Sequence, residues 1–160
     1  MAKGPVVIGF DGSPAAQHAI EKSAELLAPN AALVVAVWEP GTAWEYAELP
    51  ADVMPATPVD VQLAVDLDKA LRDGAEQTAR RGASLAQHAG FEAKGLAVAD
   101  ERNVAQTLLR VAREHSASAI VVGSRGHRRV AELVLGSTTH ALIREADCPV
   151  VVVRASEDKG

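Results

Sequence analysis

Three glycines and the hydroxyl residue behind the last of them are the residues here whose types and spacing best suit chemistry. They are Gly123, Gly126, Gly136 and Ser137, spaced G-x2-G-x9-G-S. The apolar run Ala119 to Val122 stops at the first glycine, and a helical pattern begins behind the last. Phosphate needs N–H donors close together with no side chain in the way, and glycines remove the Cβ atoms. A helix start adds free N–H groups and the positive end of its dipole. Ser137 and Thr138 contribute two hydroxyls, and Arg125, His127, Arg128 and Arg129 bring local positive charge. Each feature also has a plain structural explanation. Glycines end strands, Ser137 is a good N-cap, and a basic run is what a solvated face looks like. The combination of strand, spaced glycines and Gly-Ser at a helix start is what points to a phosphate site.

Asp11 is the second candidate. It ends the apolar run Val6 to Phe10 and opens Asp11-Gly12-Ser13-Pro14. At a strand end it can hydrogen-bond a ribose or help place a metal on phosphates. It can equally cap the turn into Ser13 and Pro14, which suit the N-cap and first position of a helix. The other reactive residue types offer less. The five histidines lack metal-ligand spacing with cysteine or with each other. Cys148 has no base beside it in sequence and is read as a small core residue. There is no Walker A run and no G-x-S-x-G. Asp100 stands where a phosphate-accepting aspartate would end a third strand, but the acidic pair near the first strand end is missing.

These residues need elements to hold them. Apolar runs bounded by turn residues predict strands at Val6 to Phe10, Ala32 to Trp38, Glu92 to Ala99, Ala119 to Val122 and Pro149 to Val153. Lys94 and Gly95 inside the third suggest an edge strand. Helical spacing follows Pro14, with Ala16, Ala19, Ile20, Ala24 and Leu27 inward. A long helix begins between Val59 and Leu67, with Leu67, Leu71, Ala75, Thr78, Ala79, Ala83 and Ala86 as its inner stripe. Asn103 with Gln106 starts another, with Val104, Leu108, Val111 and Ala112 on one face. Ser137 starts the last as its N-cap, with Ala141, Leu142 and Ala146 inward. Glu39 to Pro58 holds four prolines and no periodicity. A loop of roughly twenty residues is long enough to be a lid over a site or a segment without fixed structure.

Strict alternation of strand and helix predicts a parallel sheet with helices on both faces and right-handed crossovers. For five strands the order 3-2-1-4-5 places a topological switch between strands 1 and 4, where ligands bind at the carboxyl ends. Asp11 and Gly123 would then share one crevice. Pro149 to Val153 would be an unguarded apolar edge, open to isologous pairing with a second copy.

Composition agrees. At 160 residues the chain suits one domain. It is 48% apolar with only 3% aromatics, so the core must be Val, Leu, Ile and Ala, as parallel strands require. A net charge of −5 argues against a general nucleic-acid or membrane-surface binder. One cysteine, no signal-like opening and no apolar run of bilayer length lead to the expectation of a soluble cytoplasmic protein.

From Pro5 to Arg154 the chain resembles the universal stress protein family. The resemblance rests on Gly123-x2-Gly126-x9-Gly136-Ser137, preceded by I-V-V and followed by A-D-C-P-V-V-V-V, and on the opening V-V-I-G-F-D-G-S-P. It departs from the family pattern at Ser118, where Asp is common, and at Ala99-Asp100-Glu101-Arg102, where a Gly-x-Pro turn is common. The resemblance implies a flavodoxin-like, Rossmann-like three-layer sandwich of order 3-2-1-4-5 and a homodimer paired through the last strand. It implies an adenine nucleotide, ATP or else AMP or cyclic AMP. By position Gly9 and Asp11 would flank the adenosine, Val37 would lie against the base, and Val122 and Gly123 would line the base and ribose side. Gly126, Gly136, Ser137 and Thr138, with Arg125 nearby, would hold phosphates, and a magnesium ion could accompany them. Three functions fit: a nucleotide-binding module answering stress or energy state, a slow magnesium-dependent ATP hydrolase using Asp11, and a nucleotide-free interaction protein. The intact glycines speak against the last, and no evident general base favours the first.

Overall fold

The structure is a computed structural model that describes residues 4–41, 61–100, 102–124 and 136–155. Its elements run in the expected alternation: β1 (Val6–Gly9), α1 (Pro14–Leu27), β2 (Ala31–Trp38), α2 (Val61–Ala89), β3 (Glu92–Ala99), α3 (Val104–Glu114), β4 (Ala119–Gly123), α4 (Ser137–Glu145) and β5 (Val150–Val153). The five strands form one parallel sheet of order β3-β2-β1-β4-β5. This is the α/β architecture expected from the alternation. Val7 stands beside Leu33 on one side and Ile120 on the other. Both neighbours of β1 are therefore in register at the centre of the sheet, and β1 and β4 end side by side.

The sheet is buried on both faces, which is why its central strands read as unbroken apolar runs. Val6, Ile8 and Phe10 pack with Val34, Val121 and the inner faces of α1 and α2. Val7 packs with Val35, Ile120, Val122 and the inner faces of α3 and α4. Helix starts are fixed by local chemistry. The Ser13 hydroxyl accepts from the Ala16 N–H at 3.1 Å, and Pro14 occupies the first helical position of α1. The Asn103 side chain accepts from the Gln106 N–H at 2.9 Å and starts α3.

Three expectations need correction. The inner stripe of α2 is Ala64, Ala75, Ala79, Ala83 and Ala86, whereas Leu67 and Leu71 are 44% and 39% exposed. Close approach fixes the alanines: a Cβ at Gly82 would stand 2.6 Å from both Phe10 and Val34, and one at Gly95 would stand 2.6 Å from the Ala79 carbonyl oxygen, so only small residues fit there. Ala75 already packs at the carboxyl ends of β2 and β3, against Ala36, Trp38 and Ala97, and Leu71 and Leu67 lie one and two turns further along α2, past the strand ends. On α3, Val104 is 37% exposed, and Ala105 and Leu109 take inward positions instead. Finally, Ser137 is not the N-cap of α4. Gly136 is, and Ser137 is the first helical residue.

The segment expected to be a long loop lies mostly outside the described residues, including Trp44 and Tyr46. Its first residues leave β2, and the Gly41 N–H donates to both carboxylate oxygens of Asp68 in α2, at 3.0 and 3.2 Å. Among the described residues no helix is long and apolar enough to cross a membrane.

Candidate functional site

Of the residues singled out by type and spacing, the described ones lie at the carboxyl ends of β1, β2 and β4 and at the start of α4. Asp11 lies two residues past β1, and its Oδ1 accepts from the Ser13 N–H at 2.9 Å. The turn that this bond stabilises passes through Gly12 at φ +82, a left-handed conformation that favours glycine. Asp11 therefore does what its structural explanation required, and it does so at the mouth of the predicted crevice. Its side chain is exposed there.

Gly9, Val37 and Val122 all belong to the α3 face of the sheet. A Cβ at Gly9 would stand 3.2 Å from Leu108 Cδ1 and 3.3 Å from Val122 Cγ1, so α3 packing already accounts for that glycine. Val122 is 6% exposed and its side chain is part of the core. Any ligand contact at 122 would fall to the backbone. Val37 is half-buried beside Val98 on β3.

Gly123 closes β4 opposite Val153. Arg125 and Gly126, with His127, Arg128 and Arg129, lie outside the described residues. Gly136 is the N-cap of α4, with φ −56 and ψ 156, a backbone any residue can adopt. A Cβ there would meet nothing within 4 Å among the described residues. Among the described residues neither backbone nor packing requires glycine at 136, in contrast to Gly9. The first helical bond of α4 runs from the His140 N–H to the Gly136 carbonyl at 3.0 Å. The N–H groups of Ser137, Thr138 and Thr139 thus precede the ladder, as at any helix start. Of the three helices whose N-cap is described, α1 and α3 have a side-chain cap and α4 has none.

Two residues that sequence reasoning passed over help to build this end of the sheet. Thr139 is 3% exposed, and its hydroxyl donates to the Gly123 carbonyl at 3.4 Å, tying the first turn of α4 to the end of β4. Ser124 donates its N–H to the Val153 carbonyl at 2.9 Å, and its hydroxyl accepts from the Ala155 N–H at 3.2 Å. Adjacent threonines at a helix start were the available signal for the first, because the inner one must satisfy its hydroxyl locally.

The opposite end of the sheet carries two open cavities. One of about 260 Å³ is lined by Leu109, Ala112, Ile120 and Cys148, with Arg113 and Asp147 among its lining residues. The other, of about 540 Å³, runs along Pro5, Leu33 and Lys94. Both lie away from the candidate residues. Burial, and then the Asp147 carboxylate, push the Cys148 thiol above its ordinary range, which fits an inert core cysteine. Among the described residues no group of three or more His, Cys, Asp or Glu side chains is placed to hold a metal ion.

A five-stranded parallel sheet of order β3-β2-β1-β4-β5, with the start of α4 tied to the end of β4 beside its switch point, defines a doubly wound α/β protein. The Universal stress protein family model matches residues 4–154, and the chain belongs to that family. A stretch of 50 residues is 44% identical to Universal stress protein YxiE of Bacillus subtilis, covering 31% of this chain and 34% of that protein, so the match spans about a third of the relative's length. Among solved structures, the hypothetical protein MJ0577 is 18% identical, with a TM-score of 0.74 over 99% of this chain and 100% of its own. A universal stress protein in complex with cAMP is 22% identical, with a TM-score of 0.62 over 98% and 100%. A family member from Arabidopsis thaliana with AMP bound is 15% identical, with a TM-score of 0.62 over 98% and 94%. At these identities the likeness is one of fold.

Proposed function

We propose that this chain binds an adenine nucleotide in the crevice at the carboxyl ends of β1 and β4, with its phosphates on the start of α4. The observation that carries the reading is the start of α4. Its described N-cap carries no side-chain cap and is a glycine that neither backbone nor packing requires among the described residues. Three N–H groups and the helix dipole suit an anion there. The fold relatives with AMP and cAMP bound support adenosine as the rest of the ligand.

In this reading Ser137 and Thr138 add hydroxyls to the phosphates, and Gly136 leaves room for them. Thr139 holds the turn against β4, and Gly123 lines the ribose. Gly126 and Arg125 complete the phosphate side. Asp11 faces the ribose, or a magnesium ion carried by the phosphates, where the ion would neutralise charge between them. Gly9 and Val122 shape the pocket through packing, and Val37 lies against the base. ATP is the ligand that the resemblance to the family favours. The protein acts as a single-domain cytoplasmic binding module in stress or energy-state signalling and pairs with a second copy through β5. Calorimetry on ligand-stripped protein with ATP, AMP and cyclic AMP tests the reading. Binding of none of them would sink it.

A further inference from the structure

Asp100 is the acid that sequence reasoning set aside, and its surroundings suggest a role. It directly follows β3, and its N–H donates to the Trp38 carbonyl at 2.7 Å. It therefore sits at the carboxyl end of the sheet, one strand beyond β2 and Val37. Its Oδ1 accepts from the Arg102 N–H at 2.8 Å, and the Thr107 hydroxyl, whose nearer acceptor is the Asn103 carbonyl at 3.0 Å, lies 3.3 Å from the same oxygen. Thr107 is 4% exposed in the first turn of α3, and the next residue, Leu108, is the one that packs over Gly9. The carboxylate is thus drawn to the α3 face of the sheet, the face that carries Gly9, Val37 and Val122. Both bonds use Oδ1. Among the described residues Oδ2 accepts none.

We infer that Asp100 selects the purine base, accepting a hydrogen bond through Oδ2 from the exocyclic amine of adenine. This rests on the adenine-nucleotide reading above. With phosphate at α4 and the base against Val37, the base's outer edge points toward β3, the next strand, about 4.8 Å on. A carboxylate only accepts hydrogen bonds. Adenine offers an N6 amine, whereas guanine and hypoxanthine offer an O6 acceptor at the same place. A 6-oxo purine would set two acceptors against each other, and an unpaired polar edge at a binding site weakens affinity strongly.

Asn at position 100 is an informative change. Its Oδ1 can keep both bonds that hold the side chain, while its amide nitrogen replaces Oδ2 with a donor. The test is calorimetry of wild type and Asp100→Asn with AMP and inosine monophosphate. Wild type should prefer AMP by roughly tenfold or more, the size expected for a hydrogen bond to a charged group. Asp100→Asn should bring that ratio to about one or invert it. An unchanged ratio in the variant would overturn the assignment and leave the nucleotide reading standing. Wild type binding neither ligand would overturn both. A measurement on wild type alone stands in if the variant does not fold. N6,N6-dimethyl-AMP lacks the donor, and binding as tight as AMP would also refute the role of Asp100.

Discussion

Helix α2 contains two glycines that a helix-propensity scale treats alike, and the structure separates them. Gly74 is exposed, and a Cβ there would meet nothing within 4 Å among the described residues. Gly74→Ala should stabilise the protein by about 1 kcal/mol, the propensity difference between the two residues. In a domain of this size that is a rise of about 2–4 °C in Tm. Gly82 is buried where α2 presses on the sheet. Its Cβ would lie 2.6 Å from Phe10 Cδ1 and 2.6 Å from Val34 Cγ1. Phe10 is 3% exposed and Val34 is 0% exposed, so neither can swing into solvent. The same propensity gain of about 1 kcal/mol is then set against overpacking of about 1–3 kcal/mol. Gly82→Ala should be destabilising, and the two variants should differ by about 1–3 kcal/mol. Urea unfolding followed by far-ultraviolet circular dichroism measures both, with an unchanged m-value as the check that only stability moved. If Gly82→Ala stabilises as much as Gly74→Ala, the close packing of α2 on β2 is wrong.

Two further outcomes follow from other parts of the fold. The Cys148 thiol is held above its ordinary range by burial and then by Asp147. The folded state keeps that proton longer than the unfolded chain, so the contribution to stability is fully present below the ordinary thiol range and is lost as pH rises from there through the raised value of the folded state. Alkylation of Cys148 should accordingly be slow near neutral pH and faster in Asp147→Asn, because removing the carboxylate removes a repulsion on the thiolate. An unchanged rate would show that burial alone sets the reactivity. The β5 edge, Val150–Val153, is an apolar strand paired on one side only among the described residues. Sedimentation velocity should show a dimer, and a monomer at every concentration would rule out pairing through that edge.

Much of the fold was legible because its signals are local. Val6 to Phe10 and Ala119 to Val122 read as buried strands since both faces are covered, and Lys94 with Gly95 marked β3 as an edge before any sheet was drawn. Asn103 announced α3 by its type and its distance from Gln106. The misread positions are those where a distant element decides. Leu67 and Leu71 share the helical period of α2 with the alanines, and only the sheet shows that they lie past the ends of β2 and β3, where Ala75 is the last of the stripe to meet Ala36 and Trp38. Ser137 has the chemistry of an N-cap but lies one residue inside the helix. Gly9 and Gly136 look equivalent in sequence. Packing by Leu108 accounts for the first and nothing described accounts for the second, which turns attention from the glycines as a group to the start of α4. Asp100 reads as a phosphate acceptor without the acidic pair such a site needs near the end of the first strand, and no spacing in the sequence indicates that Thr107 on α3 stands beside it.

The central claim is that the start of α4 is kept open for the phosphate of a nucleotide. Its most direct test is titration calorimetry of AMP, cyclic AMP and ATP into ligand-stripped wild type and Gly136→Val. A valine at 136 meets no protein atom at its Cβ among the described residues and adopts the φ already present, so circular dichroism should be unchanged. The account predicts that wild type binds and that the variant loses affinity by roughly tenfold or more, since a charge-assisted phosphate contact is displaced. Equal affinity in the two proteins would contradict it.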